Sequence, residues 1–216
     1  MSRPRIIYIT DPLCGWCYAF GHALKEVMAR FDDRCDFTLI LGGMVTGDRE
    51  GPIGAKGRHI VENAIPRLEQ LTGVRMGDRH KAMLREGTQW QSSLLPSKAV
   101  VAVRELVPEK AIAFLHEVQL ACFDRGEDLN DAALYTPLAA KLGVDTDLFD
   151  AFMADERLTA ITEHDFAIVR EWGIDGFPSL AAEVGTRFYG LAHGYRNADE
   201  LAQLMEAVLR VDPTSA

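Results

Sequence analysis

Residues Arg5 to Thr10 read RIIYIT, and this β-branched run, closed by the turn residues Asp11-Pro12-Leu13, predicts a buried strand. From about Cys14 the apolar period changes. Phe20, Leu24, Val27, Met28 and Phe31 recur at helical spacing while Lys25, Glu26 and Arg30 take the other side, which predicts a helix. Asp36 to Leu41 form a second apolar run, halted by Gly42-Gly43. Strand, helix and strand in such short order make a βαβ unit, and that unit predicts a parallel pair.

From Gly43 to about Gly57 the chain is rich in glycine and contains Pro52; beyond it helical patterns dominate for roughly a hundred residues, as an inserted helical region would. Ala111, Leu115, Val118 and Cys122 trace one helix face. Leu148, Phe149 and Phe152 belong to a shorter helix capped by Thr146, and Thr136 is read as a cap with Pro137 in the first turn behind it. A further helix carries Leu158, Ile161, Ile168, Val169 and Trp172 and stops at Gly173. Gly176-Phe177-Pro178-Ser179 then turns into a strand over Leu180 to Val184, and Gly185-Thr186 is read as a hairpin turn toward Arg187 to Tyr189. Asn197 followed by Glu200 predicts a capping box that opens a last helix, whose buried stripe is Leu201, Leu204, Met205 and Val208. A short frayed tail is expected after Val211.

The 216 residues include 23 Lys+Arg against 32 Asp+Glu, a formal charge of −9. That sign repels a phosphate backbone, and no local basic cluster overrides it, so nucleic acid is set aside as a partner. With 48% apolar residues the chain can bury a core without a disulfide or metal scaffold. The opening MSRPRIIYITDP lacks the apolar core and cleavage site of a secretory signal, and no run is long enough for a membrane helix. Read as a whole chain, it is expected in the cytoplasm, away from membranes. Structural disulfides are not expected there, so the spacing of the four cysteines becomes informative.

Cys14-Gly15-Trp16-Cys17 stands directly after the first strand and in the first turn of the first helix. At a helix N-terminus unpaired backbone N–H groups and the positive end of the dipole favour a thiolate; an interaction of about 1 to 2 kcal/mol would lower the Cys14 pKa by roughly one unit from its usual ~8.5. Cys17, one turn deeper, is expected to wait as a thiol. Positions three apart in a helix are neighbours, with Cα atoms on the order of 5 to 6 Å apart, which suits a disulfide. Cys14 is therefore the candidate nucleophile and Cys17 the resolving thiol. Gly15 and Trp16 tune the pair without charge, so an extreme oxidant is not expected.

Other readings of these residues are weaker. A structural zinc site commonly uses a second CxxC or a His pair, and neither Cys35 nor Cys122 has such a neighbour in sequence, so no metal is expected. Cys35 and Cys122 themselves read as small core hydrophobes. His22, His59, His80, His116, His164 and His193 show no ligand spacing and read as surface or capping residues. No GxxxxGK[ST] phosphate loop occurs in the glycine-rich stretch.

With Asp-Pro-Leu-Cys-Gly-Trp-Cys-Tyr at residues 11–18, the chain resembles the DsbA-like branch of the thioredoxin superfamily, and within it the FrnE-like group of protein disulfide isomerases. The resemblance runs over nearly the whole chain. It implies an α/β thioredoxin fold (βαβ…ββα) interrupted by a large all-helical insertion, with halves at 1–45 and 158–216 and the insertion at 46–157. It also implies a cis-proline opposite the cysteines, a place that Phe177-Pro178-Ser179 occupies. A cis X-Pro bond costs only about 0.5 to 1 kcal/mol, and proline's missing N–H leaves Phe177 free to offer backbone groups to a substrate. The sequence leaves the isomer open, since Gly-Phe-Pro-Ser is also an ordinary trans turn. Asp11 matches an acidic position of the group and has two readings: a turn residue before Pro12, or a carboxylate that tunes the thiols and relays a proton to Cys17. Trp16, Tyr18 and Trp90 are candidates to line an apolar groove.

The expected activity is thiol-disulfide exchange, a disulfide reductase or isomerase acting on a thiol- or disulfide-containing protein or small thiol. Its redox group is the Cys14-Cys17 pair itself, with glutathione as a candidate thiol partner. The alternative is a glutathione-dependent isomerase or transferase acting on a small molecule, which a second thiol at the resolving position argues against. A redox-sensing or chaperone-like binding module is a third reading. Oligomeric state is not written in the sequence.

Overall fold

Four consecutive buried residues, Ile6, Ile7, Tyr8 and Ile9, make β1 (Arg5–Thr10) apolar on both faces, and such a strand belongs inside a sheet. The computed structural model, which describes residues 3–211, places it in a four-stranded sheet of order β2-β1-β5-β6. The partners are β2 (Asp36–Leu41), β5 (Ser179–Val184) and β6 (Arg187–His193). β1 runs parallel to β2, with Arg5 opposite Asp36 and Thr10 opposite Leu41, as the βαβ pattern predicts. Against β5 it is antiparallel, Ile9 facing Ser179. Gly185 turns the β5–β6 hairpin at φ 62°, a left-handed conformation that glycine adopts freely.

Helix α1 (Gly15–Phe31) joins β1 to β2 and buries Phe20, Leu24, Val27 and Phe31. Between β2 and β5 the chain is mostly helical. A two-residue strand β3 (Gly51–Pro52) precedes α2 (Ala55–His59), which passes through one π-helical turn at Ile60–Ala64 into α3 (Ile65–Thr72). Then come α4 (Asp78–Glu86) and β4 (Trp90–Gln91), the latter antiparallel to β3. The series continues with α5 (Leu94–Leu106), α6 (Ala111–Phe123), α7 (Tyr135–Lys141), α8 (Thr146–Met153) and α9 (Glu156–Glu171). Val169 of α9 packs with Ile7, Ile9 and Ala181 on the second face of the sheet. The last helix, α10 (Ala198–Val208), lies against α1 and opens with the predicted capping box: Asn197 Oδ1 accepts from Glu200 N at 3.0 Å, and Glu200 Oε2 accepts from Asn197 N at 2.9 Å.

Three local expectations are corrected. The cap of α8 is Asp145, whose Oδ1 accepts from Asp147 N and Leu148 N at 3.0 and 3.1 Å, so the carboxylate one residue earlier takes the role expected of Thr146. Thr136 lies inside α7, after a 3₁₀ turn capped by Asp131, and donates to Asp150 instead. Trp172 ends α9 and leaves its apolar stripe, its ring tilted against Phe188 at 5.8 Å. The tail after Val211 lies outside the described residues. Among the described residues no helix is long and apolar enough to cross a membrane.

Candidate active site

The strand-to-helix turn is built by Asp11. Its Oδ1 accepts from Leu13 N at 2.9 Å, an Asx turn, and its Oδ2 accepts from Met44 N at 2.7 Å. Ser93 Oγ donates to Oδ1 at 3.0 Å, so this buried carboxyl ties the turn to the loop after β2 and to the start of α5. Burial pushes the Asp11 carboxyl above its ordinary range; the Met44 and Leu13 amides, the Ser93 hydroxyl and Arg49 oppose this. Its oxygens are directed at these groups, and Cys17 is not among their hydrogen-bond partners.

The turn sets Cys14 at the N-cap of α1, where its Sγ accepts from Cys17 N at 3.1 Å. Cys14 is 5% exposed and Cys17 0%, in the order the helical spacing predicts, and all four cysteines are free. Burial pushes the Cys14 thiol well above its ordinary value; the Cys17 thiol against it and the more distant Asp11 carboxylate act the same way, and only the Cys17 N–H opposes them. The expectation of a lowered Cys14 pKa is therefore corrected. The helix-end amide is in place, but loss of water around the sulfur outweighs it. Beneath the pair, the Tyr8 hydroxyl donates to Cys17 O at 3.2 Å and the Tyr8 ring stacks on Phe20.

Across the site the Phe177-Pro178 bond is cis, and Phe177 O lies 3.6 Å from Cys14 Sγ. The Phe177 ring is seated over Gly42, where an added Cβ would come within 2.0 Å of Cζ. Thus the Cys14-Cys17 pair and Phe177-Pro178, remote from each other in sequence, meet at the carboxyl end of β1.

Gly15 is the first residue of α1, and a Cβ there would reach Met76 Cε at 2.8 Å, so the turn is fitted closely against the helical region. Trp16 is half-buried and tilted toward Tyr195 at 6.5 Å. With Gly15 it lines a cavity of about 380 Å³. Tyr18 is buried on another side, stacked on Phe123 and His116, and Trp90 is 51% exposed in β4; neither lines this cavity. Cys35 and Cys122 are buried, but His80 is not the surface residue expected: it is 4% exposed, with Nδ1 3.9 Å from Cys122 Sγ, and lines the cavity. Burial lowers its pKa to about 4. Sequence spacing could not join His80, Ser93 or Met44 to the site, because each arrives through tertiary packing; Tyr8 sits two residues before Thr10 in the first strand and was legible only as core. Among the described residues no group of three or more His, Cys, Asp or Glu is arranged to hold a metal.

The family model described as Thioredoxin matches residues 7–184. A search of curated proteins found no match. Among solved structures, a protein from Nitrosomonas europaea assigned as a protein disulfide isomerase is 25% identical with a TM-score of 0.84, over 97% of this chain and 98% of that one. The cytosolic disulfide reductase DsbM from Pseudomonas aeruginosa is 29% identical with a TM-score of 0.78, over 95% of this chain and 98% of that one, and its structure with GSH gives the same identity and score. A 2-hydroxychromene-2-carboxylate isomerase, 15% identical with a TM-score of 0.61 over 95% of both chains, shares the fold alone. The chain belongs to the thioredoxin family and has the DsbA-like form of its fold, with a helical region set between the two sheet-forming halves.

Proposed function

We propose that the protein is a thiol-disulfide oxidoreductase, a disulfide reductase or isomerase, that works by exchange at Cys14 and Cys17. The observation that carries this reading is the placement of two free cysteines in the first turn of α1, the Cys14 Sγ accepting from Cys17 N on one side and facing Phe177 O on the other. Membership of the thioredoxin family and likeness to a cytosolic disulfide reductase support it.

Cys14, once deprotonated, attacks one sulfur of a substrate disulfide; a Cys14–substrate disulfide forms, the substrate S–S bond breaks, and the other half leaves as a thiolate that takes up a proton. Cys17 then attacks Cys14 Sγ, its proton passing to the departing substrate sulfur. The Cys14-Cys17 disulfide forms and the second half leaves as a thiol. The substrate gains two electrons and two protons, and two equivalents of a small thiol such as glutathione restore the dithiol. An isomerase turnover stops after the first attack and lets another substrate thiol displace Cys14. Phe177 and cis Pro178 hold the substrate backbone beside Cys14, Phe177 through its carbonyl. Gly15, Trp16 and Asp11 shape the turn that presents the sulfur. The place of work is the cytoplasm, where a thiol pool supplies the reductant.

The second thiol at Cys17 counts against a glutathione-dependent isomerase or transferase, which needs a single activated sulfur on its ligand and no resolving partner. Insulin reduction with glutathione as donor tests the proposal. Turnover that disappears in Cys14→Ser supports it, and turnover that survives the substitution refutes it.

A further inference from the structure

The chain between β2 and the end of α6 borders the N-terminal end of α1 and lines with it an open-mouthed cavity of about 380 Å³. Leu13, Gly15 and Trp16 form its active-site side, so a molecule seated there has the Cys14 turn as a wall. The apolar part of the lining includes Ile53, Ile65, Leu68, Met76, Leu84 and Phe123. Arg49 and Lys56 also line it, and the lining holds no Asp or Glu although the chain carries a net charge of −9. Among the described residues neither cation is in an ion pair. Arg49 is oriented by donating to Gly43 O at 3.1 Å, beside the loop that Asp11 holds.

Each feature selects part of a ligand. Apolar walls favour a ring or alkyl body, in proportion to the area taken from water. Cations outside any ion pair, in a lining without carboxylates, favour an anionic group even with the Asp11 carboxyl behind Arg49, and a guanidinium suits a carboxylate. A volume near the lower end for small-molecule pockets admits one or two rings and not a folded segment of protein. Resting on the thiol-exchange reading, we propose that this cavity is a substrate subsite for small organic disulfides that carry an apolar body and a carboxylate, with Lys56 and Arg49 receiving the carboxylate. The disulfide is reduced as described above: Cys14 takes one half into a mixed disulfide, the other half departs as a thiol, Cys17 releases the first half, and a small thiol reductant restores the pair.

The test compares kcat/KM for three disulfides: dithiobis-nitrobenzoate (aromatic, two carboxylates), dithiodipyridine (aromatic, uncharged at neutral pH) and cystamine (small, cationic). Lys56→Glu, at an exposed position, should shift the preference between the first two by roughly tenfold toward the uncharged one, the size of one charge-assisted contact. Ala64→Trp, at an exposed position in the lining, should shift preference from both aromatic disulfides toward cystamine, by roughly tenfold as well. Melting curves confirm that both variants fold. Unchanged preferences in both variants would overturn the inference while leaving the exchange activity standing. Absence of turnover of all three disulfides by the unmodified protein would overturn the exchange reading, and this inference with it.

Discussion

The carbonyl oxygen of Phe177 lies 3.6 Å from the Sγ of Cys14, although 163 positions separate them in sequence. What sets this approach is partly an empty place: Gly42, directly after β2, leaves room for the Phe177 ring. An alanine there would put Cβ within 2.0 Å of Cζ, so the ring and the carbonyl behind it must shift. Gly42→Ala should lower stability by about 1 to 3 kcal/mol in urea unfolding and reduce insulin turnover more than tenfold. A variant with full turnover would separate Phe177 from the chemistry.

Removing one sulfur at a time should divide the reaction. Cys14→Ser should lose turnover by at least about a hundredfold, because Cys17, the other thiol in the first turn, is fully buried and out of reach of a substrate disulfide. Cys17→Ser should keep the first attack and accumulate a Cys14–substrate mixed disulfide, visible as added mass on the Cys14 peptide. Adducts at Cys35 or Cys122 instead would contradict the assignment.

Burial, then the Cys17 thiol, pushes Cys14 above the ordinary cysteine value, so the thiolate fraction grows as pH rises through the alkaline range. Alkylation of Cys14 by iodoacetamide, read by mass spectrometry, should accelerate steadily with pH. A rate already level in mildly acidic buffer would show that the helix-end amides outweigh desolvation after all.

Asp11 separates a turn residue from a proton relay. Its carboxyl accepts from Leu13 N, Met44 N and Ser93 Oγ, and an amide in its place turns an N–H toward one of these donors. Asp11→Asn should cost about 1 to 3 kcal/mol in stability. Because Asp11 is the last of the groups raising Cys14, the alkylation profile should move little, and downward. A large change in that profile with intact stability would favour the relay.

His80, lowered to about 4 by burial, binds its proton in the unfolded chain before it does so in the folded one. Its contribution is present above the ordinary histidine value and is lost as pH falls toward 4. The loss amounts to about 3 kcal/mol at most, from ~1.4 kcal/mol per pH unit. His116 is displaced to a similar value, so both contribute to acid sensitivity. Urea unfolding between neutral pH and about pH 4 should be less pH-dependent in His80→Gln than in the unmodified protein. Equal slopes would show that His80 is accessible to protons.

The parts of the molecule governed by short-range rules were legible. β1, α1 and β2 follow from two β-branched or apolar runs and one helical period, and the Asn197–Glu200 box announces α10 by its spacing. The cysteine pair was legible because a helix start fixes the chemistry of its first turn. The cap of α8 was not legible, since Asp145 and Thr146 are both cap formers and only the backbone path chooses between them. The burial of Cys14 was not legible. It depends on Phe177 from across the sheet and on the insertion closing over Gly15, and the same closure put His80 and the cavity out of reach of any sequence pattern.

Equilibration of the purified protein against glutathione buffers of graded potential, with mass spectrometry of the cysteine peptides, tests the central claim most directly. One disulfide linking Cys14 to Cys17 should form and vanish reversibly across the series, with Cys35 and Cys122 remaining thiols. A pair that stays reduced in fully oxidised glutathione, or a bond that joins other cysteines, would contradict it.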